Sequence, residues 1–221
     1  MNLPDTLLPA AWHWVGWIAF APMLAFAVWR APWGRLQHSV LLNAWLGTIV
    51  CLMVLWRIAA GVQPGISFHF LGATLFTLMA GPHLALAGLT LVLLGTTIWE
   101  GSGWQSFGLN GVTMVAIPVA VSYALYRLIE TRLPNNFFVY IFLTAFAGAG
   151  LAVAAVGVST TSLLAGAGAY PSGQLFDVYL PYYLLLAWSE ALFTGMILTL
   201  FVVYKPEWVA TFDDRRYLRN K

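Results

Sequence analysis

Residues 68–99 read FHFLGATLFTLMAGPHLALAGLTLVLLGTTIW, and their only titratable side chains are the imidazoles of His69 and His83. Apolar residues fill the stretch without the period-two alternation of a barrel strand, so it reads as helix. It is interrupted once, at Gly81-Pro82. Proline cannot continue a helical ladder. Two short segments, 68–80 and 83–99, therefore meet there in a tight helical hairpin or a broken helix.

Working outward, the rest of the chain has the same character. Of 221 residues 61% are hydrophobic and 8% charged, with a mean hydropathy of +0.80. Soluble domains carry about 25% charged residues, so this chain lacks the polar surface to dissolve. It is an integral membrane protein of the all-α class, a polytopic helical bundle. Seven hydrophobic segments are expected, at 11–29, 39–60, 68–80, 83–99, 109–129, 137–158 and 179–204. Residues 1–208 read as one integral membrane domain and 209–221 as a short basic tail.

The charges orient the bundle. Arg30 and Arg35 follow the first segment, Arg127 and Arg132 the fifth, and Lys205, Arg215, Arg216, Arg219 and Lys221 the seventh. If all seven segments span with the amino terminus outside, these fall on one side. The positive-inside rule makes that side cytoplasmic. Arg57 is the exception, close enough to its helix end to snorkel or pair. The first basic residue is Arg30, so no positively charged leader precedes a short apolar core. The amino terminus is accordingly expected to be the mature one. Cys51 is the single cysteine, which excludes an intramolecular disulfide and a thiolate metal cluster.

Enzymatic readings find little support. A phosphate-cradling loop needs a lysine following a glycine early in a helix, and the only lysines are Lys205 and Lys221. If ATP powers a function of this chain, another subunit supplies it. No serine-centred elbow appears, and the acids are scattered. The few polar residues inside apolar segments are candidates by default. Glu190, in LLLAWSEALFTGMIL, either pairs with a cation, is protonated, or hydrogen-bonds in helix packing. Asn110 and Asn43 are suited to bridging helices. Small residues crowd the sixth segment, in AFAGAGLAVAAVGVSTTSLLAGAGA, where they let backbones approach closely. Trp12, Trp14, Trp17, Trp99 and Trp104 cluster near expected interfaces.

The histidines divide by face. His38 and His83 fall on the inner side, His13 and His69 on the outer side. Met1–Pro9, MNLPDTLLP, share the outer face and are apolar enough to tuck into the protein. Imidazole is the commonest ligand for borderline divalent metals, though one outer histidine is by itself a weak metal signal.

Four blocks occur in order: MNLPDTLLP at the start, PGISFHFLGATLFTLMAGP, FGLNGVTMVAIP, and WSEALFTGMILTLFVVYKPE. Together they resemble the CbiM/NikM family, the cobalt/nickel-specific membrane components of energy-coupling factor ABC transporters. The resemblance runs from residue 1 to about 208, and the histidine and amino-terminal blocks are its specific parts. It implies that the amino terminus folds back into the outer half of the bundle. It also implies a metal held by the terminal amine, by the backbone nitrogen and imidazole of a histidine at position 2, and by the histidine matching His69. The transported Ni(II) or Co(II) is then a substrate, with no tightly bound cofactor. A coupling permease and an ATPase are the implied partners, and a bacterial cytoplasmic (inner) membrane the implied location.

This chain departs from the pattern at Asn2, whose amide oxygen is a poorer ligand for Ni(II) than imidazole. The expected metal set is Met1, Asn2 and His69, with His13 on the same face as a conjectural further nitrogen. Asn110 and Glu190 are assigned as structural polar residues. Two readings follow: a substrate-capturing subunit of a transition-metal importer, or a non-transporting accessory subunit derived from that family.

Overall fold

The computed structural model describes residues 3–63 and 66–217. Helices α1 (Ala10–Arg30) and α2 (Ser39–Arg57) lead into an antiparallel hairpin of β1 (Ala60–Gln63) and β2 (Ile66–Phe68). The short helix α3 (Ala73–Ala80) follows, then α4 (Pro82–Glu100), α5 (Phe107–Arg132), α6 (Phe137–Gly166) and α7 (Leu175–Tyr204), and a last turn, α8 (Asp214–Tyr217). Helix is what such runs must form, because lipid offers no partner to a bare backbone amide or carbonyl. Gly81, at φ +83°, ends α3, and Pro82 opens α4 where its missing N–H costs nothing.

The seven expected segments are corrected in one respect. Six helices among the described residues are long and apolar enough to cross a membrane. The segment expected at 68–80 contracts to α3, eight residues rising about 12 Å against a hydrocarbon core of about 30 Å. Phe68 belongs to β2, and Gly72 is left-handed at φ +63°, so helix cannot begin earlier. The path nevertheless runs the depth of the bundle. The Arg57 guanidinium lies 3.9 Å from the Glu100 carboxylate and 5.4 Å from the Trp99 ring, which brings the ends of α2 and α4 together. At the opposite end, His83 meets Phe26 edge-on at 5.7 Å, and the Trp45 indole N–H donates to the Leu84 carbonyl at 3.1 Å. The chain between Arg57 and Pro82 therefore traverses the bundle, half extended and half helical. Irregular backbone at such depth survives only inside protein, and Phe68, His69, Leu71 and Gly72 are buried.

The far end of α3 is tied by the chain that follows α7. The Ala210 N–H donates to the Met79 carbonyl at 2.9 Å, and the Thr211 hydroxyl to the Leu78 carbonyl at 2.9 Å. Carbonyls of the last helical turn have no intrahelical partner, and these bonds supply one. Val209, Phe212 and Tyr217 are buried in the same corner, Phe212 stacking on Tyr217 at 5.0 Å.

Small residues set the closest helix approaches. The small-residue run of α6 meets α7, where Gly157 faces the Tyr183 ring. Between α1 and α5 the contact is backbone on backbone. A Cβ on Gly108 would sit 2.5 Å from the Trp17 nitrogen and 2.7 Å from the Gly16 carbonyl carbon. No rotamer change relieves that clash. Gly108→Ala is expected to cost about 1–3 kcal/mol, a fall of about 2–10 °C in melting temperature for a chain of this size. Gly47→Ala, with nothing within 4 Å of its Cβ, should leave the transition unmoved. Thermal unfolding of both variants in detergent checks the pair, and equal melting temperatures would remove the close crossing from the account.

Candidate metal site

The amino-terminal segment tucks in as expected. Leu3 and Leu8 are buried, and the segment is held by one side chain of α5, Asn110, and by its own Asp5, which reaches the backbone before α5. The Leu3 N–H donates to Asn110 Oδ1 at 2.8 Å, and Asn110 Nδ2 donates back to the Leu3 carbonyl at 3.2 Å. Carboxamides carry one acceptor and one donor side by side, so the Asn110 amide does for Leu3 what a neighbouring strand would do. Directly after Asn110, α5 widens into π-helical turns over Gly111–Ala116. Two residues beyond Leu3, the Asp5 carboxylate accepts the Gly103 N–H at 3.0 Å and the Ser106 N–H at 2.8 Å. An acid at the mouth of α5 also opposes the positive end of that helix.

His69 lies in the extended stretch between β2 and α3 and is 4% exposed. Its ring rests on Trp56 with centroids 4.9 Å apart. Its Nδ1 sits 3.0 Å from the Phe70 carbonyl, an acceptor, so Nδ1 carries the proton. Nε2 is left with its lone pair, the arrangement in which a histidine binds a metal while its other nitrogen is held by a carbonyl. Around the ring, Trp56 Nε1–H donates to the Leu71 carbonyl at 3.1 Å. The Glu190 carboxylate accepts the Leu71 N–H at 2.9 Å and the Gly72 N–H at 2.6 Å. Of the roles open to it, Glu190 therefore takes hydrogen bonding, to backbone donors. The two halves meet in one hydrophobic cluster that contains Leu3, Leu8, Trp56, Phe68 and Leu71.

The remaining expected residues sort clearly. Met1 and Asn2 lie outside the described residues; the described chain begins at Leu3, already clamped. His13 is buried and its Nδ1 is 3.3 Å from Ser106 Oγ, so its polar contact ties α1 to the loop before α5. Among the described residues the His69 ring meets Trp56 and the Phe70 carbonyl, and no contact links it to His13. His38 and Asn43 are exposed. No three His, Cys, Asp or Glu side chains among the described residues gather as a metal site. A site built on His69 must therefore take its other donors from outside that set of side chains.

Sequence reasoning passed over Asp5, Trp56 and Ser106. Asp5 carried a usable signal: it is the only acid before Glu100, and a lone carboxylate in an apolar segment needs donors. Trp56 carried none, since nothing along the chain sets it apart from ten other tryptophans.

The family CbiM, described as a cobalt uptake substrate-specific transmembrane region, matches residues 2–208. A probable fused nickel transport protein, LarMN, of Lactiplantibacillus plantarum is 31% identical over 58% of this chain and 39% of its own length. The cobalt transport protein CbiM of Acetohalobium arabaticum is 24% identical over 92% of this chain and 82% of its own. Among solved structures, a truncated transition metal transporter superposes with a TM-score of 0.79 at 20% identity, covering 92% of this chain and 99% of that one. At that identity the superposition speaks for the fold alone.

Proposed function

The chain belongs to the CbiM family, and on that premise we propose that it is the metal-capturing membrane subunit of an energy-coupling factor uptake transporter, with Ni(II) or Co(II) as its substrate. The observation that carries the proposal is the His69 imidazole, buried, with Nδ1 donating to the Phe70 carbonyl so that the lone pair falls on Nε2. Nitrogen donors suit these two metals. In this reading Nε2 of His69 is one ligand, and the terminal amine of Met1 and the backbone of Asn2 supply others. Asn110 brings the segment in by gripping Leu3. Asp5 fixes it against the loop before α5. The metal enters at the outer face of a bacterial cytoplasmic membrane. ATP hydrolysis belongs to partner subunits, an ATPase and a coupling permease, and this chain performs no chemistry of its own.

Cells lacking other high-affinity uptake, given this chain with its partners, should accumulate nickel or cobalt, and omission of the chain should abolish the gain. No accumulation of either metal with all partners present defeats the proposal. A topology test is independent of the metal. A reporter after Lys221 should read cytoplasm, and one in the loop after Gly166 should read the outside; a carboxyl terminus outside would put the capture site on the wrong face.

A second reading, a non-transporting accessory subunit, draws on one observation: Asn2 offers no imidazole. It predicts a folded chain without metal under any loading condition.

A further inference from the structure

The four residues His69–Gly72 are neither helix nor strand, yet their polar backbone groups are gripped from two sides. From α7, both oxygens of the Glu190 carboxylate accept backbone N–H groups, Leu71 on one and Gly72 on the other. From α2, the Trp56 indole donates to the Leu71 carbonyl and lays its face against the imidazole. Gly72 has the left-handed conformation this turn needs, and any Cβ there would run into Leu52. Glu190 itself is 1% exposed, and among the described residues its hydrogen bonds are these two. A carboxylate buried at such depth is costly. A neutral helix contact would hold α7 in place at lower cost, so the position calls for a reason to keep a carboxylate.

We propose that Glu190 is the positioning residue of the metal site. By holding the Leu71 and Gly72 amides together, it fixes the backbone from which His69 projects and so aims Nε2. The proposal rests on His69 being a ligand. Its chemistry is specific to a carboxylate. Two adjacent N–H donors need two adjacent acceptors, and a carboxamide offers one acceptor and one clashing donor. Trp56 is the opposing jaw, and its loss should act in the same direction more weakly, because the carboxylate bonds remain.

The test compares Ni(II) and Co(II) titrations of the intact chain with Glu190→Gln, Trp56→Phe and His69→Ala in detergent, reading dissociation constants and the Ni(II) absorption bands. Partners that orient a ligand typically change metal affinity by about 10–100-fold, and Glu190→Gln should fall in that range. Its Ni(II) bands should shift and its Ni(II)-over-Co(II) preference should drop, since a loosened imidazole harms the metal with the stricter geometry more. A merely structural acid would lower the melting temperature and move neither the bands nor the preference. Trp56→Phe keeps the aromatic face and removes the N–H. It should shift the same bands by less, and it decides the matter if Glu190→Gln does not fold. His69→Ala separates the ligand role of His69 from the positioning role of Glu190. If it leaves binding intact, the ligand assignment has failed and the positioning role falls with it. If it abolishes binding while Glu190→Gln, or Trp56→Phe in its place, keeps affinity and bands unchanged, the ligand assignment stands and the positioning role is wrong.

Discussion

Asn2→His is expected to tighten Ni(II) binding on the order of a hundredfold, by adding a donor already tethered at high effective concentration. The terminal amine, the amide nitrogen of residue 2 and the new imidazole form consecutive chelate rings. Closing them costs little entropy because the donors are joined through one short backbone segment. Leu3 is held by Asn110 through both its N–H and its carbonyl, so the segment that carries the new ligand is anchored one residue away. The order of preference should also move toward Ni(II), which rewards planar nitrogen donors. Extending or acetylating the amino terminus should cancel the gain, since the amine becomes an amide. Calorimetric titration of the natural chain, Asn2→His, and Asn2→His with a blocked terminus reads all three. An Asn2→His chain that binds no better than its parent means that the amino terminus does not reach His69, and the accessory-subunit reading takes the lead.

The second large effect is at His69. His69→Ala is expected to weaken Ni(II) and Co(II) binding more than a hundredfold, beyond the range for residues that only orient a ligand. The folded yield should stay close to that of the parent, because the stretch retains the bonds from Glu190 and Trp56 to Leu71 and Gly72. If the imidazole is a packing residue against Trp56 instead, the same substitution lowers the melting temperature and leaves metal content where it was. Metal analysis and thermal unfolding on the same preparation separate these outcomes.

The helices could be read along the chain because each is a local event: a run of apolar residues long enough to satisfy its own backbone in lipid. The stretch at 68–80 could not be read in the same way. Its hydropathy matches that of a spanning helix, but Glu190, 119 residues from Leu71 in sequence, accepts the amides that the stretch leaves unpaired. The unwound chain at that depth depends on such remote partners, Glu190 and Trp56. The site divided similarly. His69 stood out as a lone imidazole at the edge of an apolar run, and the described part of the amino-terminal block, from Leu3, packs against the bundle as read. The clamps depend on folding: Asn110 on Leu3 across 107 residues and Asp5 on Gly103 across 98 for the amino-terminal block, and Glu190 on Leu71 across 119 for the His69 stretch. Asn110 and Glu190 were visible as polar residues in apolar surroundings. The backbone groups they serve were not.

The central claim is that the amino terminus and His69 complete one metal site. Elemental analysis of the purified chain with a native, unblocked amino terminus, after equilibration with Ni(II) or Co(II) and removal of free metal, tests it most directly. One tightly held metal ion per chain, lost both in His69→Ala and on acetylation of the terminus, is the predicted result. A folded chain that retains no metal, or one whose metal is indifferent to both changes, would contradict it.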